Sequence, residues 1–280
     1  MAGGVVMFGI DVSHHQSPAS LPWDKIAATS SFCIVRATYG AGLRDRQCAE
    51  HMRRARQVGL AVGLYHFYRP SQPVEDQIAA FRAAAQSAGY EAGDIIPALD
   101  VEADPIPSMQ HVSPAWEPGV KRFADALTVE FGAPCLIYIT QREFGMLGKP
   151  SWMVAHPLWV AHYKDTTKPA TPGNQPHLIH QHRVGPYDPK GPGGYFDGGS
   201  PQLDQNRATG PLAVATRVPW AGAETRSEPP AAGADDDAEL ARLRALVATQ
   251  QVDVVGTLRA DGMREMAGLE TQPPEPEGDA

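Results

Sequence analysis

Along the chain, short runs of Val, Ile, Leu and Tyr alternate with longer stretches in which apolar and polar residues recur at helical spacing, the rhythm of consecutive βα units. The runs fall at 5–12, 32–39, 60–68, 95–102 and 135–140. Between them, 45–58, 74–88 (opened by Pro73) and 114–130 (opened by Pro114) read as amphipathic helices, with proline tolerated in a first helical turn. After residue 140 the rhythm changes. Leu158–Tyr163, His177–His182 and Tyr195–Asp204 still read as strands, but Pro/Gly-rich loops without room for full helices join them. Five βα units and three further strands predict an α/β fold, a TIM-like barrel of eight strands closed on itself with an irregular final third. An open doubly wound sheet also fits the first five units. No glycine-rich dinucleotide fingerprint accompanies them.

The pattern divides the chain as well. Residues 1–212 carry the barrel rhythm, 213–234 turn rich in Pro, Gly and Ala as a linker does, and 269–280 have the composition of a disordered tail. Residues 235–268 read as an acidic amphipathic helical segment, with Leu240, Leu243, Val247, Val254 and Leu258 on one stripe. That stripe is suited to weak self-association or to docking on the barrel, the first being favoured by the flexible linker before it, and the barrel is expected to work without it.

Composition narrows the partners. The chain has 280 residues, 42% of them hydrophobic, enough for a full-sized core. Its net charge of −8 is concentrated in the tail: residues 1–210 carry 18 Lys+Arg against 19 Asp+Glu, and residues 211–280 carry 6 against 13. A near-neutral body with an acidic tail offers no electrostatic footprint for nucleic acid or for an anionic membrane. No run is long enough to span a bilayer, and the first residues lack the basic and apolar regions of a signal peptide. Synthesis in the cytoplasm is the expectation. Cys33, Cys48 and Cys135 are an odd count without metal-ligand spacing and are expected to be buried thiols.

The chemistry centres on Ile95-Ile96-Pro97-Ala98-Leu99-Asp100-Val101-Glu102, an apolar run ending in two acids. Strand side chains alternate, so Asp100 and Glu102 point the same way, with Cα atoms roughly 6.6 Å apart. Two carboxylates so placed raise each other's pKa, which can keep one protonated and one ionised, as cleavage of a glycosidic bond requires. The octet also reads as a strand running into an acidic surface loop, since Asp104 and Pro105 follow. Asp11 and Asp204 lie at the ends of the first and last predicted strands, where barrel loops gather, although each also suits a turn. Tyr65, Tyr138, Trp159 and Tyr163 cluster near strand ends. They fit a sugar-binding cleft or, taken singly, an ordinary core.

Two other classes compete. His14, His15, His177, His180 and His182 offer imidazoles for a metal-dependent amidase or deacetylase, but no acid-plus-His motif accompanies them. A non-catalytic glycan-binding module would keep the aromatic residues without needing Asp100 or Glu102.

Six segments occur in order from about residue 7 to 207: Gly9-Ile10-Asp11-Val12-Ser13, Gly63-Leu64-Tyr65-His66-Phe67, Leu99-Asp100-Val101-Glu102, Ile137-Tyr138-Ile139-Thr140, Leu158-Trp159-Val160-Ala161-His162-Tyr163 and Leu203-Asp204-Gln205-Asn206. Together they resemble the successive motifs of glycoside hydrolase family 25, the Chalaropsis-type lysozymes. The resemblance implies N-acetylmuramidase activity on bacterial peptidoglycan, and independence of metal and cofactor is expected separately, because a carboxylate cluster needs protons but no Lewis acid. The resemblance makes Glu102 the acid/base, Asp100 the second catalytic carboxylate, and Asp11 and Asp204 the rest of the acidic cluster. Tyr65, Tyr138, Trp159, Tyr163 and Gln181 are then expected to bind substrate. Gln181 stands in His180-Gln181-His182, where the family usually shows Trp-Gln-Tyr. An Arg-rich, Lys-poor body without a signal peptide fits a phage endolysin, made in the host cytoplasm and acting on the wall after release.

Overall fold

The computed structural model describes residues 6–104, 109–163, 168–185 and 203–220. Its strands are β1 (Met7–Val12), β2 (Phe32–Tyr39), β3 (Leu43–Arg44), β4 (Ala61–Phe67), β5 (Ile95–Asp100), β6 (Leu136–Ile139), β7 (Leu158–Ala161), β8 (Ile179–Gly185) and β9 (Leu203–Ala208). Its helices are α1 (Trp23–Ala27), α2 (Cys48–Gln57), α3 (Val74–Ser87), α4 (Glu117–Phe131) and α5 (Gln141–Met146). Pairing runs β1-β2-β4-β5-β6-β7-β8-β9, and β9 returns to β1. The barrel of eight strands is therefore closed, with β3 a short hairpin partner of β2 outside it.

All eight residues of β2 are buried, as a barrel strand covered on both faces must be. Helices α3 and α4 bury Ile78, Phe81, Phe123, Leu127 and Phe131 against the strands. His66 and Gln77 lie in this core fully buried. Thr38 Oγ1 lies 2.7 Å from His66 Nδ1, and His66 Nε2 is 3.0 Å from Gln77 Oε1. Burial pushes His66 down to about 3, so the ring is neutral and its Nε2–H donates to the amide oxygen. Gln77 also accepts from Arg69 N and donates to the carbonyls of Arg69 and Gln72, fixing the loop after β4. Cys33, Cys48 and Cys135 are free and buried, as expected. Among the described residues, no helix is long and apolar enough to cross a membrane.

The structure differs from the sequence reading in four places. The last strand is Leu203–Ala208 rather than Tyr195–Asp204, and it runs antiparallel to both neighbours. Residues 195–202 of the expected strand lie outside the described residues. Strand β5 stops at Asp100, so Glu102 stands on the chain beyond it. A short helix, α5, follows β6, capped by Thr140 and Glu143 in a reciprocal capping box.

Residues 213–220, expected to open the linker, instead pack on the barrel. Ile96 N donates to Ala213 O (2.9 Å), Ala215 N to Asp94 O (2.8 Å), Gly93 N to Ala215 O (2.8 Å) and Thr216 N to Phe131 O (2.9 Å). Trp220 meets Phe131 edge to face at 6.0 Å. Gly132 ends α4 in the left-handed conformation, and any Cβ there would strike Thr216 Oγ1, so the strap needs glycine at that position. The helical segment 235–268 and the tail 269–280 lie outside the described residues.

Candidate active site

The nine residues singled out from the sequence line one open cleft of about 400 Å³: Asp11, Tyr65, Asp100, Glu102, Tyr138, Trp159, Tyr163, Gln181 and Asp204. Barrel geometry brings them together, because β1, β4, β5, β6 and β7 all present their C-terminal ends to this mouth. Asp204 arrives by the opposite route. Since β9 is antiparallel, its first residues sit at the mouth, with Asp204 opposite Asp11 in the register.

Alternation along β9 puts Asn206 on the same face as Asp204, and Asn206 is fully buried. The Trp159 indole N–H donates to Asn206 Oδ1 (2.8 Å), and Asn206 Nδ2 donates to Asp11 Oδ2 (2.7 Å). An indole N–H only donates, so the amide orientation follows. Gln181 makes a matching hub. Its Oε1 accepts the hydroxyls of Tyr138 (2.8 Å) and Tyr163 (3.0 Å), and its Nε2 donates to the same Asp11 oxygen (2.9 Å). Two amides, from the neighbouring strands β8 and β9, thus hold Asp11 on β1 as an acceptor across the closure.

Charge is dense here. Burial raises Asp11 to about 6, opposed by the two amide hydrogen bonds. Burial, and then the neighbouring Glu102, Glu143 and Asp11, hold Asp100 well above the usual carboxylate range. Asp204 is raised by burial, then by Asp11 and Glu102. Glu102 is pushed up to about 8 by burial first, followed by Glu143, Asp104 and Asp11. The opposing cation is Arg36 of β2, buried, with Nε 3.4 Å from Asp45 Oδ2. A cleft so arranged keeps Glu102 protonated at neutral pH with Asp11 mainly ionised near it, the requirement for general acid chemistry.

Of the aromatic residues, Tyr163 is the one open to solvent, at 57% exposure, so its ring face is available for stacking. Trp159 is 2% exposed and wedged between Tyr138 (5.0 Å) and Tyr65 (6.1 Å). It forms the floor of the cleft and orients Asn206. Asn206, Glu143, Asp104 and Arg36 were not singled out in the sequence, although the Asp204/Asn206 alternation was a usable signal.

The histidines do not assemble a metal centre. His180 and His182 flank Gln181 on β8, and neither lines the cleft. Nδ1 of His180 accepts from Arg207 Nε (3.2 Å) and its Nε2 donates to His162 O (2.7 Å), so neither nitrogen is open. Among the described residues, no three His, Cys, Asp or Glu side chains are grouped to hold a metal ion. The departure from Trp-Gln-Tyr therefore falls on two buried residues that do not line the cleft.

Known proteins share this fold. The model of the family described as Glycosyl hydrolases family 25 matches residues 10–188. Lysozyme M1 of Streptomyces globisporus is 27% identical over 174 residues, 60% of this chain and 58% of its own length. The chain thus spans little more than half the length of the curated relatives it matches. A bacterial lysozyme from Streptomyces coelicolor has a similar structure, with a TM-score of 0.61 at 26% identity over 75% of this chain and 94% of that one. A family 25 lysozyme from Aspergillus fumigatus shares the fold, with a TM-score of 0.61 at 22% identity over 74% of this chain and 95% of that one. The family match runs from within β1 through β8, the stretch that builds most of the acidic cleft, and the chain belongs to glycosyl hydrolase family 25.

Proposed function

We propose that this chain is a peptidoglycan muramidase that hydrolyses the β-1,4 bond between N-acetylmuramic acid and N-acetylglucosamine. The observation that carries the reading is the convergence of four carboxylates, Glu102 raised to about 8 among them, in one cleft of a family 25 barrel. In the reaction Glu102 gives its proton to the glycosidic oxygen as the bond from that oxygen to the anomeric carbon breaks. Asp100 serves the anomeric carbon on the other side, either by attacking it or by orienting the substrate's own 2-acetamido oxygen to do so. Glu102, now ionised, takes a proton from the water that completes hydrolysis, which restores its starting state. Asp11 supplies negative charge beside the developing oxocarbenium ion, and Asp204, opposite it in the register, completes the acidic wall of the cleft. Tyr163 offers its open face to a sugar ring, and the Gln181 and Asn206 hubs keep Asp11 in place.

Purified protein incubated with peptidoglycan is expected to release new reducing ends on N-acetylmuramic acid and no free amines. Glu102→Gln should lower the rate by about 10²-fold or more while binding is largely kept. Near-normal turnover in that variant removes Glu102 from the role, and amine release instead of reducing ends rules out the muramidase reading. For the setting, we propose the endolysin arrangement, with synthesis in the host cytoplasm and action on the wall after release. Lysis on co-expression with a pore-forming protein, and none without it, tests that part.

A further inference from the structure

Glu102 stands beyond the end of β5, where no strand ladder holds it, yet a general acid has to be placed to within a fraction of an ångström. The backbone on both sides of it is clamped. Before it, Val101 N donates to Tyr138 O at 3.0 Å. After it, Ala103 N donates at 2.9 Å to Glu143 Oε1, from a residue 40 positions along the chain. Glu143 is the third residue of α5, and its other oxygen accepts from Thr140 Oγ1 (2.8 Å) and Thr140 N (3.2 Å), while Glu143 N donates back to Thr140 Oγ1 (3.1 Å). A capping box is normally a local device that satisfies the free N–H groups of one helix start. Here its acid has a second task, since one carboxylate oxygen serves the helix and the other reaches across to the loop that bears the acid.

We propose that Glu143 is a positioning residue for the reaction: its carboxylate ties the chain after Glu102 to α5 and presents a fixed negative charge to the Glu102 side chain. The proposal rests on Glu102 being the acid. Three donors, Ala103 N, Thr140 N and Thr140 Oγ1, meet the Glu143 oxygens and fix the carboxylate in place. After burial, Glu143 has the largest influence holding the proton on Glu102. The other groups acting on or acted on by Glu102 are Asp11 on β1, Asp100 on β5, Asp204 on β9, Asp104 on its own loop, Tyr138, Tyr163 and the opposing Arg36. Of the carboxylates, Glu143 is outside the cleft lining, so it can be changed without touching substrate.

The test is the pH dependence of kcat/KM on purified peptidoglycan for the full chain, Glu143→Gln, Glu143→Asp and Glu102→Gln. Glutamine keeps one acceptor, enough for the capping box, but its amide nitrogen cannot accept from Ala103 N, so the charge is lost together with the tie to the chain after Glu102. The alkaline limb of Glu143→Gln is expected about one pH unit or so below that of the parent. Glu143→Asp keeps the charge but shortens the reach, so its limb should stay near the parent's while kcat falls. Neutralising a remote acid, Glu130→Gln on α4, should leave the limb where it was. If the Glu143→Gln limb coincides with the parent's, or Glu143→Asp moves it equally, the proposal is overturned. Should Glu143→Gln fail to fold, the Glu143→Asp profile still decides, because a limb moved with the charge retained contradicts it. An active Glu102→Gln would instead sink the assignment of the acid, a failure distinguishable from an unmoved limb in an enzyme that Glu102→Gln silences.

Discussion

Glutamine at position 102 should make the protein more stable, by an amount that depends on pH. Glu102 has an ordinary value of 4.5 and is raised to about 8 in the folded chain, chiefly by burial. The folded state therefore binds its proton more tightly than the unfolded state. Stability is fully present below the unfolded value and falls as pH rises toward the folded one. Across the whole interval the ionised form is disfavoured by roughly 5 kcal/mol, of which about 1 kcal/mol has been lost by pH 5 and roughly 3 kcal/mol by pH 7. Glu102 opens partly to solvent and the neighbouring acids relax when its charge is removed, so a net gain of about 1–3 kcal/mol at pH 7 is the working figure. For a body of this size that is a Tm higher by roughly 2–12 °C. Urea unfolding of parent and Glu102→Gln at pH 5, 7 and 9 measures it, provided the slopes agree. The gap should be small at pH 5 and wide at pH 9. A gap that does not grow with pH would refute the reasoning, because it would mean that Glu102 is solvated like a surface acid and is not a proton reservoir at neutral pH.

Three further outcomes are expected. Asn206→Ala removes one of the two amides holding Asp11 and leaves the Trp159 indole unpaired, so Asp11 should rise above 6, moving the acid limb of the rate profile upward with a loss on the order of 10-fold; an unmoved acid limb would take Asp11 out of the ionised role. Activity should survive a chelator, because the four carboxylates work by moving protons and neither nitrogen of His180 is open; loss of activity restored by zinc contradicts this. A chain ending at Trp220 should keep full specific activity, whereas one ending at Leu212 loses four backbone hydrogen bonds to the barrel and on the order of 4 kcal/mol, and sedimentation of the first against the full chain tests self-association through residues 235–268.

The sequence was most legible where both faces of a strand are buried. Residues 32–39 were read with their observed ends because burial demands apolar side chains at every position. The same rule hid β9. Leu203-Asp204-Gln205-Asn206 looks like a polar turn, yet Gln205 and Asn206 are buried, because this strand forms the wall of a polar cleft instead of a greasy core. Periodicity also carries no direction. A strand read as parallel and a strand read as antiparallel have the same alternation, and only the pairing of Asp204 with Asp11 shows that the last strand delivers its first residues, not its last, to the mouth.

What could not be read belongs to interactions made by backbone atoms or by reach. Residues 213–220 resemble a linker because their grip on the barrel comes mainly from main-chain N–H and C=O groups, which every residue but proline supplies in full. Thr140 and Glu143 spell a capping box in the sequence, but nothing in that spacing tells that the free carboxylate oxygen meets Ala103. The cleft thus has two kinds of residue with different visibility. Side chains that meet the substrate must be acids, amides or aromatics at strand ends, and those types at those positions announce themselves. Side chains that hold the first kind in place act through a hydrogen bond to another residue, the backbone N–H of Ala103 for Glu143 and the carboxylate of Asp11 for Asn206. Glu143 and Asn206 are of this second kind, which is why their effect should appear in the limbs of a pH profile before it appears in binding.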